Sequence, residues 1–165
     1  MPKSTLLGTS AAVTAAAVVG SRATTPQIRS GWYARLKKPS YNPPRAVFPV
    51  VWPALYADIA AVSAATIDDL NDLGQPARRR RYQIALAVNL ILNAGWTWLF
   101  FNRHRLVLST ALSALLAASS TDLARRAIQV RGARAVPLVL YPLWCAFATV
   151  LSAHVALLNR HPDHD

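Results

Sequence analysis

Residues 82–101 read YQIALAVNLILNAGWTWLFF, twenty residues without one charged side chain. At 1.5 Å per residue such a helix covers about 30 Å, the thickness of a bilayer's hydrocarbon core. Arginines stop the run on both sides, Arg78–Arg81 before it and Arg103 after it. The stretch predicts a transmembrane helix over about 80–101, and it sets the pattern for the rest of the chain.

Working outward, further apolar runs follow. Ala46–Ile67 carries only Asp58, and Ala135–Leu158 carries only His154 as a titratable group. Leu106–Thr121 is shorter and reaches span length when extended to Ala124. Ser4–Ser21 is uncharged and rich in Ala and Thr. With Lys3 before it, this segment also matches the start of a signal peptide. Its small-residue stripe Ala12, Ala16, Gly20 favours a packed helix instead. The expected fold is an all-α membrane protein in one domain over 1–165. Five transmembrane helices lie at about 4–21, 46–67, 80–101, 106–124 and 135–158, and a long structured loop spans 22–45.

The 165 residues are 53% hydrophobic and 15% charged, with a formal charge of +11. A net positive charge often marks a nucleic-acid binder. Here the cations sit in the predicted inter-helix loops, where membrane proteins place them against headgroups, so nucleic acid is not an expected partner and membrane lipids are. Alternating spans put nine cations on each side of the membrane. If the first loop serves a ligand, its charges drop out of that count and Arg78–Arg81 face the cytoplasm. Cys145 is the only cysteine and glutamate is absent. No disulfide framework, metal-ligand spacing, phosphate loop or nucleophile elbow follows, so no metal, no cofactor, and no hydrolase or pump is expected.

The segment 32–56, WYARLKKPSYNPPRAVFPVVWPALY, is of a different kind. Pro39, Pro43 and Pro44 exclude an ordinary helix. Trp32, Tyr33, Tyr41, Phe48 and Trp52 are too costly to leave in water, which excludes a loose linker. A stiff folded loop leading into the second span satisfies both constraints.

Helical spacing groups side chains into stripes. Trp52, Tyr56, Ile59 and Ser63 share one face of the second span. Asn89, Asn93, Trp96 and Phe100 share one of the third, with Trp98 turned away as an interface anchor. Trp144, Phe147, Ala148, Leu151 and Val155 form a stripe on the fifth. Together they would line an aromatic cavity with a few amides, suited to a flat apolar ligand; helix–helix packing uses the same residues. Amides in a bilayer must be bonded, which turns Asn89 and Asn93 toward the bundle or a ligand. Trp32, Arg35, Lys37 and Lys38 belong to the loop over that cavity, the cations able to meet ligand carboxylates or lipid headgroups. Asp58, an intramembrane carboxylate, opens an alternative: a small proton-coupled transporter. His154 could bind a haem iron, relay a proton or simply make a buried hydrogen bond.

These residues resemble a known family. The pattern W-Y-x-x-L-x-K-P-S-x-x-P-P is met by Trp32, Tyr33, Leu36, Lys38, Pro39, Ser40, Pro43 and Pro44, and V-W-x-x-L-Y by Val51, Trp52, Leu55 and Tyr56. Leu92-Asn93, Trp96 and Phe100-Phe101 match its third span, and Trp144, Phe147, Ala148, Thr149 and Leu151 its fifth. Gly20-Ser21-Arg22 is similar to the end of its first. The chain resembles the translocator proteins, also called tryptophan-rich sensory proteins or peripheral-type benzodiazepine receptors, in a bacterial-type form. The resemblance implies a multi-pass protein of the bacterial cell membrane, often a homodimer, that binds tetrapyrroles such as protoporphyrin IX as a sensor or carrier. It implies a pocket enclosed by the five helices under the first loop. It implies a binding protein rather than an enzyme, except that some bacterial members degrade porphyrin in light, a role that would fall to Trp52 and Trp144. Ser152 and Ala153 depart from the family's sterol-recognition pattern, which argues against sterol binding through it.

Overall fold

A computed structural model describes the backbone of residues 3–29 and 32–159, and the side chains of 5–18 and 33–159. Five long helices dominate: α1 (Lys3–Arg29), α3 (Phe48–Asp72), α4 (Pro76–Thr97), α5 (Leu106–Arg131) and α6 (Leu140–Leu158). A single-turn helix, α2 (Trp32–Arg35), lies between α1 and α3, and no strand forms among the described residues. Three helical stretches are long and apolar enough to cross a membrane, namely Arg45–Asp72, Pro76–Asn102 and Leu106–Leu158; Thr5–Val18 is a shorter apolar stretch. The last of the three holds both α5 and α6. Ser113 pairs with Thr149 at 2.9 Å, and Ser120 lies beside Cys145, so residues later in α5 meet residues earlier in α6. The two helices therefore form an antiparallel hairpin.

The helix ends follow backbone chemistry. Pro49 sits in the first turn of α3 and Pro76 in that of α4, where a missing N–H leaves no bond unmade. Pro53 lies farther inside α3 and removes one helical donor, yet the helix continues through it. Gly74 takes φ +64° to turn the chain from α3 into α4, and Gly132 takes φ +58° at the end of α5.

The observed helices outrun the expected spans, α3 to Asp72, α4 from Pro76 and α5 to Arg131, and three further differences have a local cause. α1 runs through Gly20-Ser21-Arg22 as far as Arg29. One glycine costs a helix only about 1 kcal/mol, too little to end it. The connection to α3 is correspondingly shorter than 22–45. Residues Gly132–Val139 form a 3₁₀ stretch, and α6 starts at Leu140. Pro137 and Pro142 cannot donate the bonds of a regular α-helix there. At the end of α4 the winding opens into a π turn, Trp98–Asn102.

α3 is the central helix, with α1, α4, α5 and α6 all packed against it. Its second half is buried on every side: Ile59, Ala60 and the run from Val62 to Asp68 are all in the core. The three polar members of that run, Ser63, Thr66 and Asp68, are buried with the rest, because other helices surround it. The outer faces of the other helices are apolar too, with Ile91 and Val150 70% and 60% exposed. An apolar perimeter of this extent suits lipid rather than water.

Of the long helices that touch, α3 and α6 share the smallest contact. Phe48 of α3 and Trp144 of α6 meet across that seam.

Candidate ligand-binding site

The stripes of α3 and α4 meet. Trp52 lies 5.6 Å from Tyr56 and 6.2 Å from Trp96, ring centre to ring centre, and Trp96 stacks on Phe100 at 5.8 Å. Phe101 packs edge-on against Phe100 at 4.9 Å, and Tyr33 from α2 closes over both phenylalanines. The π turn lets two consecutive residues, Phe100 and Phe101, face one cluster, since it widens the turn at the end of α4.

The stripe of α6 builds a second cluster. Trp144 lies 5.6 Å from Phe147 and 6.0 Å from Phe48. Tyr41 of the first loop reaches Phe147 at 6.3 Å. Ala148 is half-buried and Leu151 buried beneath them. Trp52 and Trp144 do not stack; Phe48, one turn before Trp52 on α3, bridges toward Trp144.

A buried polar chain joins the arms. The Tyr56 hydroxyl donates to Asn93 Oδ1 at 2.9 Å. Asn93 Nδ2 donates to the Tyr141 hydroxyl at 3.1 Å, which donates to Asn89 Oδ1 at 2.8 Å. Asn89 Nδ2 then donates to Ser119 Oγ at 3.3 Å. Four helices, α3, α4, α6 and α5, are tied by this chain. Asn89, Asn93 and Tyr141 are wholly buried, so each bond replaces a desolvated, unmet group.

Two donors near the rings stay unmet. Trp96 Nε1 and Trp144 Nε1 are buried and have no hydrogen-bond partner among the described residues. A buried indole N–H normally finds one, and leaving it bare costs about 1–3 kcal/mol. One such donor points from each aromatic arm. Flat rings, amides and two free donors are a set that a planar aromatic ligand with acceptor groups would satisfy.

The first loop is pinned to the end of α6. The Asn159 side chain accepts from the Lys37 amide at 3.1 Å and donates to the Lys37 carbonyl at 2.9 Å. Tyr41 Oη meets His154 Nδ1 at 3.0 Å. His154 is exposed and serves this loop contact, not a buried hydrogen bond. Lys38 turns its ammonium inward, onto the Tyr33 and Leu36 carbonyls, with Nζ 4.5 Å above the Tyr33 ring. Burial, and then the nearby Arg45 charge, lower the Lys38 pKa; burial raises that of Tyr33, partly offset by Arg45. Lys38 thus holds the loop together instead of reaching toward a ligand. Arg35 is exposed at the end of α2. The Trp32 side chain lies outside the described residues.

Asp58 is half-buried on α3, its Oδ2 unpartnered among the described residues. It stands two residues past Tyr56, about 200° around the helix from the aromatic cluster. Trp98 is 44% exposed on the outer face, as an interface anchor requires.

Tyr141, the centre of the polar chain, is absent from the expected stripe. It precedes Trp144 by three residues and shares its face, so extending the α6 stripe one turn back finds it. Tyr33, Tyr41 and Phe101 gave no periodic signal, because loop geometry and the π turn place them.

Comparison with known proteins finds matches over most of the chain. The profile of the TspO/MBR family matches residues 9–158. The tryptophan-rich protein TspO of Bacillus cereus is 30% identical over 128 residues, 78% of this chain and 80% of its own length. The tryptophan-rich sensory protein of Cereibacter sphaeroides is also 30% identical, over 78% of this chain and 77% of its own. The human translocator protein is 33% identical over 73% of this chain and 70% of its own. With nearly its whole length matched, this chain is a membrane protein that belongs to the TspO/MBR family.

Proposed function

We propose that the protein binds a tetrapyrrole such as protoporphyrin IX between its two aromatic arms and acts as a sensor or carrier of that ligand. The reading takes all five long helices as membrane spans and the first loop as the cap of the site. It also takes the working unit as a homodimer. The observation that carries it is the pair of unpartnered indole donors, Trp96 Nε1 and Trp144 Nε1, set among stacked rings. A porphyrin offers a large π face to the rings and acceptor groups to the donors. Photochemical degradation would extend the same site, because a bound ring would lie beside indoles able to give up an electron. The Asp58 alternative draws on a carboxylate turned away from the cluster, so it explains none of the aromatic arrangement.

Titrating the full chain in detergent with protoporphyrin IX, and following the porphyrin's own absorbance, tests the proposal. Trp96→Phe and Trp144→Phe each keep a ring and remove one donor, so each should weaken binding about five- to tenfold. Asp58→Asn should bind as the parent does. Equal affinity in the parent, both single variants and Trp52→Ala would reject this site.

A further inference from the structure

A second feature lies on the opposite leaflet side, away from the aromatic cluster. Between α4 and α5 runs an open groove of about 330 Å³, bounded by Arg81, Ile84, Val88, Ser119, Asp122 and Arg126. A smaller hollow of about 160 Å³ adjoins it, sharing Arg81 and Arg126 and adding Arg78, Tyr82 and Gln129. We propose that this groove binds one phospholipid with an anionic headgroup.

The residue order along both helices has the polarity of such a molecule. Arg81 lies one turn and a half inside α4. Ile84 and Val88 follow one and two turns deeper, about 5 and 10 Å along the axis. Both are apolar and about half exposed, at 53% and 46%. On antiparallel α5, Ser119 is level with Asn89 through their hydrogen bond, so Arg126, about 10 Å along α5, lies level with the arginine end and Asp122 between the two. A headgroup at the arginines would run its acyl chain over Ile84 and Val88.

The charges are complementary to an anion. Arg78, Arg81 and Arg126 face Asp122 as the one carboxylate on the groove. Asp122 is already taken, by Arg125 at 2.7 Å and by Arg126 Nε at 2.5 Å. That bond fixes the Arg126 side chain and leaves both its terminal nitrogens for a second anion. Arg78 holds Gln75 at 2.7 Å through Nη1, and Arg81 has no hydrogen-bond partner among the described residues. Arginine suits the task, since its planar fork matches phosphate oxygens in pairs.

Native mass spectrometry of the full chain tests this, with dioleoyl-phosphatidylglycerol and dioleoyl-phosphatidylcholine as the probes. The two lipids share acyl chains and differ in net charge. One phosphatidylglycerol should be retained per chain, at least fivefold tighter than phosphatidylcholine, a preference of about fivefold for each arginine engaged. Arg81→Gln breaks no side-chain hydrogen bond or ion pair among the described residues and should cut the preference about fivefold; Arg126→Gln should do the same. Ile84→Asn should weaken both lipids alike. Glycerol phosphate at the same concentration should not compete. Equal retention of the two lipids by the parent chain overturns the proposal. So does a preference unchanged in both arginine variants, full competition by glycerol phosphate, or a dimer that carries no lipid because a second copy fills the groove.

Discussion

Tyr141 shows how much a single hydroxyl holds here. It receives from Asn93 and donates to Asn89, and both amides are without exposed surface. Tyr141→Phe keeps the ring and strands Asn93 Nδ2 and Asn89 Oδ1 together. Interhelical hydrogen bonds in membranes average about 0.6 kcal/mol, while a stranded buried group costs about 1–3 kcal/mol. The variant should lose about 1–2 kcal/mol, read as a melting midpoint a few degrees lower in detergent. A midpoint equal to the parent's would mean that water replaces the hydroxyl and that the chain contributes nothing to stability. Ser63 and Tyr82 form a separate buried pair at 3.0 Å, deeper in the bundle and away from the rings.

Elements repeat this division between scaffold and site. The helices were legible in the sequence because long uncharged runs leave few alternatives, and the stripes on α3 and α4 followed from helical spacing alone. The loop was legible as a folded segment, from prolines and aromatics that exclude both helix and linker. Its fastening was not. Asn159 pairs with Lys37 across 122 positions of sequence, and no local pattern foretells that. The twin bonds of Asn159 hold the loop to the end of α6. Asn159→Ala should therefore speed hydrogen exchange at the Lys37 amide by an order of magnitude or more, while the helical circular-dichroism signal stays unchanged. Exchange at the parent rate would show that Tyr41 and His154 hold the loop alone. The π turn was also hidden, since no residue type marks it, whereas the 3₁₀ stretch has Pro137 as a sign in the sequence.

For the whole molecule, α3 decides the outcome. It touches all four other long helices, and Ala64 at its centre has no exposed surface. A larger side chain there has nowhere to go, and overpacking a close-fitted interior costs about 1–3 kcal/mol. Ala64→Leu should lower the melting midpoint and broaden the size-exclusion peak. Leucine at outward-facing Ala87 should leave both as they are. The same centrality explains the clustering of function: one helix presents Trp52 and Tyr56 to the rings at one end, and Ser63 and Thr66 to the core at the other. Composition revealed the membrane, and the apolar perimeter agrees; the seams that α3 forms with α4 and with α6, where the rings gather, needed the packing of all the helices at once.

The polar chain from Tyr56 to Ser119 has a direction. Every donor in it points the same way, from the aromatic rings toward the α4–α5 groove. Turning both asparagine amides over would satisfy every member equally well in the opposite sense, with Ser119 donating first and Tyr56 accepting last. In the observed sense Tyr56 has spent its proton on Asn93 and offers a neighbour only lone pairs. In the reversed sense its proton is free to give. One tyrosine can thus greet a hydrogen-bond donor or an acceptor, and its choice is recorded in the hydroxyl of a serine four hydrogen bonds away.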